Sequence, residues 1–469
     1  MINKINKNIR SGLIFLIAAF IVIFGTIILV ALARGYTYDF ISGQLKQTGL
    51  VIIDSAPNGA EIFINNKRIK HKTPYRLTYV DPGKMIIHLE KAKYRNWEKN
   101  LQVTPERVSF SDYAWLLPID LKIQTITNEP SITQVTQSKN FHKITYTALN
   151  GEPSLWTFEN NQANKIYQPA TETDPNKQVS SVSNLILSDD GSQILFKQSS
   201  PMSTNYMLLS ASPNQKAINL NETFKFNFTD GSLSFNPDNN KELIWADSGV
   251  IRKINADSLS ISAVLTDKVI FSKIMDKKIF YFTDDQDKRQ LWMMDLNGQR
   301  KTKLLSDVKR SSFYKMEFAK FNDINYLSVL TDDNNLTLYD HIYDNPKDNL
   351  LSKEAVDATF SKSGRYLVIN TKRHLKTYDL ELNERYSVAD NLKDLTDWKW
   401  IDSSHMIVLA DGKLRMVDFD GQNNQVLVEN VKFLPVVMVN PNNKSAYSVY
   451  QQGGSTNFKL NEIFLTLKN

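Results

Sequence analysis

The sequence predicts an all-β protein that is attached to a membrane by one N-terminal helix. Three observations lead to this prediction: an uncharged apolar run near the N-terminus, short apolar segments separated by polar turns, and repetition of that pattern over most of the chain. The expected segments are 1–12, a basic tail; 13–33, a transmembrane helix; 34–48, a spacer; 49–104, a small β-sandwich; 105–119, a linker; and 120–469, a domain of repeats.

The run from Leu13 to Ala33 predicts the transmembrane helix. Its 21 residues carry no charge. At about 1.5 Å per residue the helix is about 31 Å long, which matches the ~30 Å hydrocarbon core of a bilayer. Lys4, Lys7 and Arg10 precede the run, and this excess of positive charge predicts a cytoplasmic N-terminus with the bulk of the chain extracytoplasmic.

A cleaved signal peptide is the alternative interpretation of this run. Ala31-Leu32-Ala33 fits a small-x-small cleavage site. Signal-peptide cores are about 7–15 apolar residues long, so the longer run here favours an uncleaved anchor. Both interpretations export the chain, and the anchored form is a single-pass protein of the cell membrane.

Composition narrows the class of protein. Hydrophobic residues make up 42% of the chain, which is enough for a sizeable core. There is no cysteine, so disulfides and thiolate metal sites are excluded and burial must hold the fold together. The net charge is +6, but residues 121–469 carry 40 basic and 41 acidic side chains. This balance argues against a nucleic-acid binder.

Alternating apolar residues and tight turns predict the small β-sandwich at 49–104. Pro57 and Gly59 mark one turn and Asp81-Pro82-Gly83 another. The expected strands are Leu50–Ile53, Glu61–Asn66, Tyr75–Tyr79, Met85–Glu90 and Lys99–Val103.

Six short motifs in this region occur in the order and spacing of a known family. They are Gly49-Leu50-Val51, Pro57-Asn58-Gly59-Ala60, Ile62-Phe63-Ile64-Asn65, Thr73-Pro74, Pro82-Gly83 and Lys93-Tyr94. Residues 48–104 thereby resemble the PEGA domain, although Asn58 replaces the name-giving Glu and Lys93 the usual Gly. PEGA domains occur in bacterial and archaeal cell-surface proteins, so the resemblance implies an envelope-facing β module without an established chemistry.

A basic cluster lies between two of these expected strands. It consists of Lys67, Arg68, Lys70 and Lys72, with Arg76 nearby, and we expect it in one loop. Such cations attract anionic envelope polymers or lipid headgroups, by about 1 kcal/mol each near a charged surface. Alternatively, they are a solvated stretch that protects an edge strand from aggregation.

The segment Val108–Pro118 is unusually aromatic for a linker. It includes Phe110, Tyr113 and Trp115, and aromatic clusters usually pack against a partner. We therefore expect it to fix the small domain against the large one; a surface-exposed partner site is the alternative.

A short apolar strand recurs eight times after residue 121, each time following a polar turn. The copies are Lys143–Thr147, Ile194–Phe196, Leu243–Trp245, Ile279–Phe282, Tyr326–Val329, Tyr366–Ile369, Met406–Leu409 and Ala446–Tyr450. About four strands per ~42 residues is the pattern of a β-propeller blade. Eight copies favour eight blades, and seven would follow if one weak copy is an insertion.

The ends of this domain predict how the ring closes. The last copy has three strands before the chain ends, and Leu121–Thr127 is a spare segment before the first copy. A ring must remove its exposed edges, so we expect this segment to complete the last blade. Leu291–Gly298 and Met416–Gly421 resemble the TolB-type propeller repeat, which implies architecture only.

The motifs of common enzymes do not occur. There is no Gly-x-Ser-x-Gly elbow and no phosphate-binding glycine loop. Asp284, Asp285 and Asp287 crowd one turn without the spacing of a calcium loop. The six histidines are scattered: His71, His88, His142, His341, His374 and His405. We therefore assign no catalytic, cofactor-binding or metal-binding residue.

The sequence thus predicts a membrane-anchored, extracytoplasmic binding or scaffold protein of the cell envelope. Its expected partners are the lipid bilayer, through residues 13–33, and an envelope polymer or protein on the propeller face. A surface hydrolase with its site at the propeller channel is the alternative, and a membrane-assembly factor is a third.

Overall fold

The computed structural model describes residues 2–39, 43–127, 131–139, 143–213, 215–286, 288–440, 442 and 444–467. His142 and Asp287, both considered above, lie outside these residues. The chain divides into two units, Met1–Asp120 and Leu121–Asn469. The first contains the N-terminal helix and the small sandwich, and the second contains the repeats.

The N-terminal helix α1 extends over Ile2–Ala33. Residues 2–12, expected as a separate tail, are therefore the first turns of the same helix, because no proline interrupts them. Within the described chain, the stretch Phe15–Leu32 is the one helical segment long and apolar enough to cross a membrane. None of its residues is buried within the protein.

The expected spacer at 34–48 is a β-hairpin instead. Strand β1 (Tyr36–Asp39) pairs antiparallel with β2 (Gln44–Gln47). Tyr36 lies opposite Gln47 and Tyr38 opposite Leu45. Two four-residue strands are too short for a clear sequence signal, since three alternations are common in any polar stretch.

Seven further strands form the small sandwich. They are β3 (Gly49–Ala56), β4 (Glu61–Ile64), β5 (Lys67–Lys72), β6 (Tyr75–Val80), β7 (Gly83–Glu90), β8 (Trp97–Val103) and β9 (Val108–Trp115). One sheet has the order β6-β3-β9 and the other β5-β4-β7-β8. Their inner faces meet in one core that includes Val51, Ile87 and the fully buried Trp97. Burial of an aliphatic side chain such as Val51 or Ile87 stabilises the folded state by about 1.5–3 kcal/mol.

Two expectations about this domain are wrong. The segment around Val108 is not a linker: β9 pairs in parallel with β3, and its Ala114 belongs to the sandwich core. The basic cluster is not a loop either, because Lys67–Lys72 is the edge strand β5, paired with β4. A strand with one neighbour and exposed cations needs no apolar alternation.

Unit 2 is a β-propeller with eight four-stranded antiparallel sheets among its described residues, which confirms the prediction of eight blades. We call the strands of each blade a to d. Blade 1 has Ile132–Gln137, Ile144–Asn150, Glu152–Glu159 and Gln162–Tyr167; blade 2 has Ser181–Leu187, Gln193–Ser199, Thr204–Ser210 and Ile218–Asn219. Blade 3 has Leu233–Asn236, Asn239–Asp247, Val250–Asn255 and Ser260–Ile261; blade 4 has Val269–Met275, Lys278–Asp285, Lys288–Asp295 and Thr302–Val308.

The remaining blades follow the same order. Blade 5 has Tyr314–Phe321, Ile324–Thr331, Leu336–Asp340 and Lys347–Ser352; blade 6 has Asp357–Phe360, Tyr366–Asn370, Leu375–Asp379 and Glu384–Ala389. Blade 7 has Leu395–Trp400, His405–Ala410, Lys413–Asp418 and Gln425–Val428; blade 8 has Phe433–Asn440, Ser445–Gln451, Phe458–Phe464 and, as strand d, Ile123–Thr125. A five-residue helix, α2 (Leu220–Phe224), follows blade 2 and is capped by the Asn219 side chain.

The ring closes as expected from the sequence. Ile123 pairs with Ile463, so a strand from the start of the domain completes the blade formed at its end. Strands a of several neighbouring blades contact one another, among them those of blades 7 and 8 and of blades 8 and 1, which places these strands around the central axis. Between blades, apolar side chains such as Phe280 and Phe318 pack together. A closed ring leaves no inner sheet edge open to another chain.

Candidate functional site

The two faces of the propeller are built from different loops. Because each blade is antiparallel, its a–b and c–d turns lie on one side, which we call the lower face. Its b–c turns and the connections to the next blade lie on the other side, which we call the upper face.

Short polar turns close the lower face. In the a–b turn of blade 2, the Asp190 carboxylate accepts hydrogen bonds from the Ser188 hydroxyl and the Ser192 amide, at 2.6 and 3.0 Å. Burial alone would raise the pKa of Asp190, but these bonds hold it below its ordinary value. Turns of adjacent blades are also linked, with Asn240 donating to Asp190 at 2.6 Å and Lys277 lying 2.7 Å from Asp238. The aspartates of these turns therefore stabilise the fold.

The upper face carries most of the exposed apolar side chains in the propeller loops. Phe313, between blades 4 and 5, is 50% exposed. The exposed large apolar residues on or beside the upper-face loops are Leu149, Met202, Phe226, Val264, Ile270 and Phe313; on or beside the lower-face turns they are Ile123, Leu259, Leu382 and Leu467. The upper face is thus the more apolar of the two, and exposed apolar surface is what interaction sites require.

A cavity of about 310 Å³ opens on the same face between blades 3 and 4. Three segments line it: residues 229–232 before strand a of blade 3, 246–250 in its b–c turn, and 269–272 in strand a of blade 4. The lining offers hydroxyls, backbone groups and the carboxylates of Asp230 and Asp247. Such a lining suits a polar group of a ligand or partner.

The Asp230 carboxylate is held ionised. It accepts a hydrogen bond from the Tyr206 hydroxyl and lies 3.0 Å from the Lys197 Nζ. The Tyr206 bond and then the Lys197 contact lower the pKa of Asp230, while burial and this carboxylate raise the pKa of Tyr206. A carboxylate with a lowered pKa is ionised at neutral pH and can accept hydrogen bonds from a ligand or partner.

Two carboxylates on the innermost strands of the propeller pair with lysines. On the innermost strands, Lys273 lies 2.9 Å from Glu317 of the next blade, and Lys315 pairs with Asp357 of the blade after that. Each pair joins two neighbouring blades.

The sequence predicts no metal site, and the acidic turns among the described residues make internal contacts. No group of three or more His, Asp or Glu side chains in that part of the chain is arranged to hold an ion. In the aspartate-rich turn that begins at Asp284, this residue forms a salt bridge with Arg289 at 2.8 Å, and this hydrogen bond lowers the pKa of the aspartate.

The structure brings together four of the five predicted cations of the small sandwich. Lys67, Arg68, Lys70 and Lys72 lie along edge strand β5, whereas Arg76 lies on β6 in the opposite sheet. Glu61 on the neighbouring strand contacts Arg68 at 2.6 Å and Lys72 at 4.0 Å. Part of the positive charge is therefore balanced within the sheet.

Sequence reasoning missed the cavity. Asp230-Gly231 and Asp247-Ser248-Gly249 are visible turn signals, so each loop alone could be found. Their convergence depends on strand registers in two blades, which the local pattern does not determine.

Comparison with known proteins identifies the small sandwich. Residues 48–112 match the family model described as the PEGA domain, and the match extends into β9. No curated protein matches the chain.

The propeller is similar in fold to several solved structures. The C-terminal WD40 domain of Sif2 is 14% identical, covers 74% of this chain and 99% of its own, and gives a TM-score of 0.48. The Dos1 propeller is 13% identical, with coverages of 74% and 95% and a TM-score of 0.49. TolB from Acinetobacter baumannii is 16% identical, with coverages of 53% and 63% and a TM-score of 0.32. The assignment of the fold rests on the strand pairing of the chain itself.

Proposed function

We propose that this chain is a single-pass membrane protein whose PEGA domain and propeller lie outside the cytoplasm and bind a partner in the cell envelope. In this role the propeller is a non-enzymatic binding or scaffold module. A protein that presents apolar side chains beside the polar cavity is the partner that its upper face fits best.

The orientation is supported by the N-terminal helix. Its apolar stretch Phe15–Leu32 has the length of a membrane span and is unburied. The helix begins with basic residues and the first unit continues directly into a domain family of cell-surface proteins. Positive charge on the short N-terminal side favours retention of that side in the cytoplasm.

The observation that carries the binding role is the composition of the upper face. Exposed apolar residues such as Phe313 and Ile270 occur there with the polar cavity beside blade 4. An apolar patch with a polar rim is the usual composition of a protein-binding surface. The opposite face is closed by short turns that bond to one another.

Site-specific crosslinking tests this assignment. A photoreactive amino acid replaces Phe313 on the upper face or, as matched control, Leu382 on the lower face, which is similarly exposed. In cells that produce the chain, we expect irradiation to crosslink a discrete partner at position 313 and none at 382. Equal crosslinking at both positions, or none at either, would contradict the assignment.

Protease treatment of intact cells tests the orientation. We expect added protease to cleave the propeller without lysis. A propeller that is cleaved only after lysis would show that the proposed topology is inverted.

We also propose that the basic edge strand β5 contacts anionic envelope polymers. Lys67 and Lys70 are exposed and have no carboxylate within salt-bridge distance among the described residues. Replacing both by Gln should weaken retention on an anionic polymer at low salt, since exposed charges act mainly through long-range attraction. The control is Lys72→Gln, because Glu61 partly balances the charge of Lys72. If this variant loses as much retention as the double variant, the proposed contact of β5 with the polymer is wrong.

A further inference from the structure

The described residues between the membrane helix and the sandwich, 34–39 and 43–48, include a β-hairpin where the sequence predicts a spacer. Helix α1 ends at Ala33. Two residues later, the Gly35 carbonyl oxygen accepts hydrogen bonds from the amide and the hydroxyl of Thr48, at 2.9 and 2.7 Å. The chain between them would reach roughly 45 Å if extended. Because the hairpin folds it back on itself, strand β3 starts beside the last turn of the helix.

The hairpin presents apolar side chains at this junction. Tyr38 and Leu45 lie opposite each other across its two strands and are 52% and 69% exposed. More than half of each side chain is therefore open to contact with a further apolar layer.

The adjacent end of the sandwich has the same character. Val80 pairs with Gly49, the first residue of β3, and the neighbouring Tyr79 is 62% exposed. Val108 pairs with Leu50 and is also exposed. We call the hairpin, Tyr79–Val80 and Glu106–Val108 together the proximal end.

Cations accompany these apolar residues. Arg34 follows the helix, and Arg107 accepts a backbone hydrogen bond from Leu50 at 3.2 Å; both side chains are exposed. Lys84 lies opposite Gln102 near the same end of β7 and is exposed as well. Tyrosine together with arginine and lysine is the composition found at the interface between membrane and water.

We propose that the proximal end lies in the headgroup layer of the bilayer that holds α1, with Tyr38, Leu45 and Tyr79 at its boundary with the acyl chains. The choice of partner follows from chain continuity, because the apolar stretch of the helix ends at Leu32, only a few residues before the hairpin. The inference rests on the proposed membrane anchor. It makes the PEGA domain a membrane-seated platform rather than a domain on a flexible tether.

The absence of cysteine allows a direct depth measurement on the full chain. Single Leu45→Cys and Tyr79→Cys variants are labelled with an environment-sensitive fluorophore and reconstituted in phosphatidylcholine–phosphatidylglycerol vesicles. Quencher lipids carry the spin label either near the headgroup or deep in the acyl chain. Asn58→Cys, in the exposed turn at the far end of β3, is the matched control, and Ile21→Cys reports the span itself.

We expect the labels at positions 45 and 79 to be blue-shifted and quenched from the headgroup level, while position 58 is unaffected. If positions 45 and 79 behave like position 58 and position 21 is quenched from the acyl chains, the anchor stands and this inference is wrong. If position 21 is not quenched either, both the anchor and the inference are wrong. Far-UV circular dichroism of each variant verifies that the sheets are intact.

Discussion

Gln137 on blade 1 and Val439 on blade 8 exchange two hydrogen bonds across 302 residues of sequence. The Val439 amide donates to the Gln137 side-chain oxygen at 3.0 Å, and the Gln137 side-chain amide donates to the Val439 carbonyl at 3.2 Å. Two residues earlier on the same inner strand, the Val437 amide donates to Asp397 of blade 7 at 2.7 Å. Side chains thus satisfy the unpaired backbone of the last blade from both neighbours.

Replacing Gln137 by Ala should destabilise the ring at its closing seam. Val439 is buried, so its amide and carbonyl would lose their partners at a cost of about 1–3 kcal/mol. Urea denaturation followed by tryptophan fluorescence measures the free energy of unfolding. Gln162→Ala, at an exposed position of the outer strand of blade 1, serves as the control. A variant at position 137 as stable as this control would show that the seam does not depend on these bonds.

Removal of the buried carboxylate of Asp379 should be more costly. Asp379 is fully buried and accepts hydrogen bonds from Arg365 at 2.7 and 3.1 Å and from the Glu381 amide at 2.9 Å. Asp379→Ala leaves a half-buried guanidinium without this partner, so we expect a loss of about 3 kcal/mol. In the exposed ion pair Lys320–Asp323 at 3.0 Å, Asp323→Ala should cost less than about 1 kcal/mol. Equal urea midpoints for the two variants would contradict the argument.

Acidification should loosen the loop that carries Phe313. The Ser312 hydroxyl and amide bond to Asp332, at 2.5 and 2.8 Å, and hold its pKa at about 2, below the ordinary 3.8. Because the folded pKa is the lower one, this contribution to stability is complete above pH ~4 and disappears as the pH falls towards 2. The stability difference between the wild type and Asp332→Asn should therefore shrink over this range in urea denaturation.

Phe313→Ser is the control for this experiment, since it keeps both Asp332 and Ser312. Its difference from the wild type should not shrink over the same pH range. A difference for Asp332→Asn that is constant with pH would exclude these hydrogen bonds as its cause.

Features with a strong local or repeating signal could be predicted from the sequence. The helix around Phe15–Leu32 follows from composition alone. The eight blades follow from repetition, and the role of Ile123–Thr125 follows because a ring cannot leave an edge open. These conclusions do not depend on knowing which residues contact each other.

Features fixed by long-range pairing could not be predicted. Strand β9 pairs with β3 in parallel, Val108 opposite Leu50, and this partner lies far away in sequence. Apolar and polar residues alternate from Val108 to Ser111, which is typical of a strand, but the aromatic residues that follow are equally typical of a docking segment. The cavity beside Asp230 likewise requires two blades in register.

Gly35 should be essential for seating the sandwich at the membrane. Its φ is +77°, and a Cβ at this position would lie 2.6 Å from the Thr48 carbonyl oxygen. Gly35→Val is therefore strained by about 1–3 kcal/mol in backbone conformation alone, and it displaces Thr48 from its two hydrogen bonds. In the full chain in lipid nanodiscs, we expect proteolysis between Tyr36 and Gln47 to become faster than in the wild type. Gly25→Val in the helix meets no atom within 4 Å and should leave the cleavage rate unchanged. If both variants are cleaved at the wild-type rate, the contact between Gly35 and Thr48 does not hold the hairpin in place.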